Sequence, residues 1–118
     1  MKKVYVAGAI SSDKLENGIS NLRQGILMGA KLLRLGFAPY VPHLDYQFNL
    51  VQDDPIPVET YYKYDLTWLE SCDCVLVLPN SEKSKGVQAE IAHAKCKGIP
   101  IFTDVRDLID YAGGIFNE

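Results

Sequence analysis

The sequence predicts a three-layer α/β/α domain built on a parallel sheet of four or five strands. Two observations carry that prediction. Short Val-rich apolar runs bounded by turn residues alternate with longer segments of helical period. The runs are also apolar on both faces, as strands covered by helices on each side must be. Such alternation implies crossover helices. Right-handed crossovers leave few topologies, and the simplest is flavodoxin-like, with strand order 2-1-3-4. At 118 residues the chain fits one domain over 1–118, long enough to bury about two-thirds of its unfolded surface.

The first element, KVYVAG (3–8), reads as a buried strand. The opening MKKVYVAGAIS joins two lysines to an apolar run, but the run is short and β-branched and shows no cleavage pattern, so a strand fits better than a leader. SNLRQGILMGAKLLRLG (20–36) reads as a helix whose Leu22, Ile26, Gly29 and Leu33 share the face expected to meet the core. Gly36 ends it as a C-cap would. Leu27, Met28 and Leu35 form a second apolar patch opposite, the expected surface of a helix-mediated homodimer.

FAPYVP (37–42) is a weaker strand whose prolines suit an edge. HLDYQFNLVQDDPIP (43–57) has no clean period and reads as a long loop, functional or mobile. Residues 58–71 form a helix, CVLVLP (74–79) a buried strand, 86–97 a helix and IPIFTD (99–104) a strand. DVRDLIDYAG (104–113) is a last helix, with Asp104 as N-cap and Asp107 supporting its first turn.

Composition narrows the function. A net charge of −3 without a Lys/Arg run argues against a nucleic-acid polymer as partner. Apolar stretches fall far short of the roughly 20 residues of a membrane span. Cys72, Cys74 and Cys96 are odd in number and lack metal spacing, so they read as reduced, mostly buried thiols of a cytoplasmic protein. His43 and His93 are too isolated to hold zinc, and no metal or cofactor is expected. Neither GxGxxG nor GxxxxGKS occurs, which argues against a dinucleotide enzyme or a P-loop NTPase.

In such sheets ligands bind beyond the carboxyl ends of the strands. GAISS (8–12) and PNSEKSKG (79–86) then share one rim, with Gly8, Ser11 and Ser12 on one side and Ser84 and Gly86 on the other. Two carboxylates stand out beside it. In helix 58–71, Asp65 points into an apolar group of Val58, Tyr61, Leu69 and Cys72. An ionised carboxylate there costs several kcal/mol unless it is paired, protonated or facing a cleft. Glu90 lies at the edge of the stripe Val87, Ile91 and Ala94, one turn into its helix and with no basic residue four positions on. The helix N-terminus favours its ionised form. Tyr5, inside the first strand, needs a partner for its hydroxyl, and a neighbouring carboxylate would serve.

The ordered set VYVAGAIS, YYKYDLTWLESCDCVLVLP and SKGVQAEIAHAKCKGIPIF resembles the nucleoside 2-deoxyribosyltransferase family, including its 5′-monophosphate N-glycosidase relatives. The resemblance covers 4 to about 104 and rests on D-x-x-W/x-x-x-x-D-x-V followed by S-x-G-x-x-x-E. It implies a nucleoside or nucleotide substrate, Glu90 as the nucleophile at the anomeric carbon, Asp65 as the group meeting the departing base, and Tyr5 as the group orienting the glutamate. It also implies that Asp73 helps hold the sugar. Asp65, expected to be the more deeply set, would hold the proton.

Ser84 matches the phosphate-side serine of the monophosphate glycosidases. The arginine those enzymes carry after the first strand is absent, and ISSDK offers only Lys14. The resemblance further implies a homo-oligomer whose C-terminus takes part in the site, here through Asn117. The residues leave open whether a second base or water resolves the adduct. A nucleotide-sensing module without catalysis is a competing reading, as is another enzyme centred on His43 and Asp45.

Overall fold

The computed structural model describes residues 1–10 and 14–113. Its strands are β1 (Lys3–Ala7), β2 (Ala38–Tyr40), β3 (Cys74–Val77) and β4 (Ile101–Phe102). Its helices are α1 (Leu15–Arg34), α2 (Val58–Leu69), α3 (Lys85–Cys96) and α4 (Val105–Tyr111). The four strands form one sheet of order β2-β1-β3-β4, parallel at every pairing. Pro39 lies in the edge strand β2, where its missing N–H costs no internal ladder bond.

Successive strand side chains point to opposite faces, and β1 therefore builds two cores. Val4 and Val6 join Leu32, Phe37, Leu76 and Leu108 under α1 and α4. Tyr5 and Ala7 join Leu69, Val75, Val87 and Ala94 under α2 and α3. Helices thus cover both faces of a parallel sheet, the three-layer arrangement expected. Two caps are as expected: Asp104 accepts a bond from the Arg106 amide, and Gly36 sits at φ 93° after α1; Ser84 caps α3 as well, accepting a bond from the Val87 amide.

Several features differ from expectation. Helix α1 begins at Leu15, five residues early. Residues Pro42–Val51 wind into a 3-10 helix rather than an open loop, tied back by Tyr40 Oη donating to Asp45 Oδ2 at 2.7 Å and Tyr61 Oη donating to Asn49 Oδ1 at 3.0 Å.

The third difference is in α1, whose two apolar faces exchange roles. Gly25, Gly29 and Leu32 are buried, and Met28 and Leu35 pack on the core. Ile26 and Leu33 stay exposed. The cause is close approach. A Cβ at Gly25 would lie 2.3 Å from the His43 ring, and one at Gly29 would lie 2.6 Å from Val41 Cγ2. Only glycines let this face settle onto the β2 side of the molecule.

The thiols also differ. All three are free, but Cys74 alone is buried, and Cys96 is exposed. Val58, placed by periodicity on the inner face of α2, is exposed as well.

Candidate active site

Beyond the carboxyl ends of β1 and β3 lies a cleft of about 1040 Å³. One wall is the loop after β1, with Gly8, Ala9 and Ile10, together with Asn17, Ser20 and Asn21 of α1. The other runs from Asn80 through Lys83, Ser84, Lys85 and Gly86 into α3. Tyr62, Asp65 and Leu66 of α2 and Glu90 of α3 also line it.

The expected residues mostly converge here. Glu90 is buried, at 9% exposure, and among the described residues no ion pair holds it. The Tyr5 hydroxyl is fully buried and has no hydrogen-bond partner of good geometry. Asp65 Oδ1 is likewise buried and unpartnered. Buried polar atoms are ordinarily satisfied, so the gathering of such atoms at a cleft marks a place built to be completed by something else.

Gly8 lines the cleft for a steric reason: a Cβ there would meet Leu78 Cδ1 at 2.6 Å. Gly86 differs, since a Cβ would touch Tyr62 Cε1 at an ordinary 3.4 Å. Ser84 is half-buried and serves as the N-cap of α3. Ser11 and Asn117 lie outside the described residues.

Asp73 is a correction. It precedes β3 at the amino end of the sheet, where its Oδ2 accepts a 2.7 Å bond from the Lys3 amide. The four residues of β3 put about 13 Å between it and the rim. Its carboxylate fastens the base of the sheet and does not reach a sugar in the cleft.

The electrostatic order of the two carboxyls is a second correction. Burial pushes Glu90 up to about 8, with the Tyr5 hydroxyl pulling it down and Asp65 adding to the rise. Burial, with Asp45 behind it, pushes Asp65 up to about 7. Asp65 is only half-buried, so Glu90 is the more deeply set. At its position desolvation outweighs the helix N-terminus. Both carboxyls are thus raised towards neutrality, Glu90 further than Asp65.

The sequence reading missed several residues. Asn80 stands at the carboxyl end of β3 with φ 62° and lines the cleft. Asparagine tolerates that backbone region, and Pro-Asn after a strand was the available signal. Ser81, 2% exposed, accepts a bond from the Ala9 amide at 3.3 Å and so joins the two rim loops. Lys83 and Lys85 supply the cationic side of the cleft, across from the loop after β1.

His43 is no solvated loop residue. It is 2% exposed, with its ring against Gly25 and both nitrogens lacking a partner of good geometry. Burial holds it below the usual imidazole range, with the Ala9 backbone acting in the other direction. Among the described residues no cluster of three or more His, Cys, Asp or Glu side chains is arranged to hold a metal ion.

A family model described as a domain of unknown function, DUF7768, matches residues 2–104. The chain belongs to that family. The matched span contains every element of the sheet and both cleft carboxyls. No curated protein matches the chain. Among solved structures, the chain is similar to a 2-deoxyribosyltransferase from the psychrotolerant bacterium Bacillus psychrosaccharolyticus, described as a biocatalyst for synthesis of antiviral and antitumoral nucleosides. The two are 17% identical with a TM-score of 0.64, over 84% of this chain and 69% of that one. The likeness is one of fold.

Proposed function

We propose that this DUF7768 chain cleaves the N-glycosidic bond of a 2′-deoxynucleoside or its 5′-monophosphate through a deoxyribosyl adduct on Glu90. The observation that carries this reading is the pair of carboxyls, buried Glu90 and half-buried Asp65, facing one cleft, with the buried Tyr5 hydroxyl acting on Glu90. Two carboxyl groups beside a scissile glycosidic bond supply a nucleophile and a proton donor.

The bond from C1′ to the base nitrogen breaks through an oxocarbenium-like state, while Glu90 forms a bond to C1′. Asp65 gives its proton to the departing base. A second base, or water, then attacks C1′, the glutamyl bond breaks, and the incoming nucleophile returns its proton to Asp65. The developing positive charge at C1′ favours the ionised form of Glu90, which offsets the burial that raises it. Transfer to another nucleobase is our preferred outcome, with hydrolysis of a deoxynucleoside 5′-monophosphate as the runner-up. Ser84, Lys83 and Lys85 on one side of the cleft favour a phosphorylated substrate. Gly86, which no local packing demands, allows close approach to the backbone.

We place the protein in the cytoplasm, as a single-domain homodimer working without a cofactor. Its three free thiols fit a reducing compartment. No helix among the described residues is long and apolar enough to cross a membrane. Leu15, Ile19, Ile26 and Leu33 are exposed, and with Leu22 between them they follow the alternating spacing of four and three that pairs helices. A second copy of α1 is the proposed occupant of that stripe.

The test is incubation with deoxynucleosides and their 5′-monophosphates, with and without a second free base, followed by chromatography. A swapped nucleoside establishes transfer, and free base regardless of acceptor establishes hydrolysis. Tight binding with no turnover across the panel points to a sensor and rejects the mechanism.

A further inference from the structure

Helix α2 carries Tyr61, Tyr62, Tyr64 and Trp68, and three of these aromatics are engaged within the protein. Tyr61 donates its hydroxyl to Asn49 Oδ1 at 3.0 Å. Tyr64 makes edge-to-face contacts with Phe48 and Trp68, and Trp68 stacks on Tyr40 at 5.4 Å. Tyr62 is the exception. Among the described residues no ring stacks on it and no group binds its hydroxyl, and it is 42% exposed.

Its exposure is to the cleft. Tyr62, Asp65 and Leu66 are spaced i, i+3 and i+4, so they share one face of α2, and all three line the cleft. A Cβ at Gly86 would lie 3.4 Å from Tyr62 Cε1 and 4.0 Å from its Cζ. The tip of the ring therefore reaches across to the first turn of α3. It bridges the two helices that carry Asp65 and Glu90. Among the described residues lining the cleft, Tyr62 is the one aromatic.

We propose that Tyr62 is a specificity-determining residue that holds the leaving base by its face, while Asp65 meets the edge of the same base. The inference deepens the nucleoside-cleaving reading and rests on it for the kind of ligand. A nucleobase has flat π-faces and a polar edge, and α2 offers one group for each, a helical turn apart. The other walls carry amides, hydroxyls and lysines, which suit a sugar and its phosphate and present no second ring to the base. Stacking is therefore one-sided, and its strength follows the area of base that covers the ring. Every base has a π-face and can stack, but a two-ring purine covers more of Tyr62 than a one-ring pyrimidine.

Calorimetric titration of the full chain tests this. Glu90→Gln serves as the host, so that the probes, 2′-deoxyadenosine 5′-monophosphate and thymidine 5′-monophosphate, stay intact. Tyr62→Phe keeps the ring and should bind both nucleotides as the host does. Tyr62→Leu keeps an apolar side chain suited to a helix but has no π-face; it should weaken the purine nucleotide about tenfold or more, and the pyrimidine nucleotide by less. A side chain that merely packed α2 against α3 would accept leucine as readily as phenylalanine. Equal affinities of the two variants, with circular dichroism unchanged, overturn the inference, and so do equal losses for the two nucleotides. If neither nucleotide binds the host or the wild type, the inference falls together with the reading beneath it. Binding that depends on the ring, in a wild-type protein that cleaves neither nucleotide, supports Tyr62 as the platform and rejects the proposed reaction instead.

Discussion

At the level of single residues, the cleft is defined by polar groups buried without partners. Glu90→Gln keeps the shape and removes the nucleophile. We expect base release to fall at least about 1,000-fold while circular dichroism stays unchanged; wild-type-like turnover would reject Glu90 as the attacking group. Asp73→Ala should do the opposite. It loses the bond to the Lys3 amide and about 1 kcal/mol of stability in urea titration, with kcat/KM preserved. A large loss of kcat/KM at full folding would return Asp73 to the site. Both carboxylates were visible in the sequence as polar residues in apolar or rim positions. Their depths were not, because a helical wheel gives an angle and no distance from the surface. The aspartate before β3 misled for a related reason: a motif position says which strand a residue borders, and only the strand direction says which end.

Among the elements, α1 separates what sequence pattern can decide from what it cannot. Its helicity, its C-cap and the existence of two apolar stripes were all legible. The choice of inner face was not, since it turns on Gly25 and Gly29, residues with no side chain to count. Gly25→Ala would drive a methyl into the His43 ring. We expect a loss of about 1–3 kcal/mol by chemical denaturation, beyond the gain in helix propensity. An unchanged midpoint would mean that α1 is not held this close. The outer stripe makes a separate prediction. Ile19→Lys with Leu33→Lys should leave the fold intact and convert a dimer to a monomer in analytical ultracentrifugation. A wild-type monomer, or a dimer that survives both lysines, would rule out pairing through α1. The caps at Asp104 and Gly36 and the edge position of β2 were legible because each depends on local chemistry alone. The winding of Pro42–Val51 was not, because Tyr40 and Tyr61 hold it through contacts that no local period announces.

For the whole molecule, the cleft costs stability in a pH-dependent way. The folded values of Glu90 and Asp65, about 8 and about 7, lie above their ordinary 4.5 and 3.8. The folded chain therefore binds more protons than the unfolded chain across that window. Their contribution is most favourable below the unfolded values and is lost as pH rises through the folded ones. His43, held below its ordinary 6.5, works at the other end, opposing folding as pH falls beneath that value. Thermal unfolding should thus show a maximum on the acid side of neutrality. Glu90→Gln should flatten the alkaline limb and raise stability at pH 8 by on the order of 1–3 kcal/mol. Identical alkaline limbs in the two proteins would mean that Glu90 is not buried as described. A group that lowers stability where it sits is the mark of a site kept for its chemistry.

The proposed reaction turns on the bond between Glu90 and the anomeric carbon. The most direct measurement is mass spectrometry of the protein quenched in acid during reaction with a deoxynucleoside or its 5′-monophosphate, followed by peptide mapping. A mass increase of one deoxyribosyl group, phosphorylated or not according to substrate, is expected on the peptide carrying Glu90 and absent from Glu90→Gln. A modification elsewhere, or base release at full rate in Glu90→Gln, would contradict it.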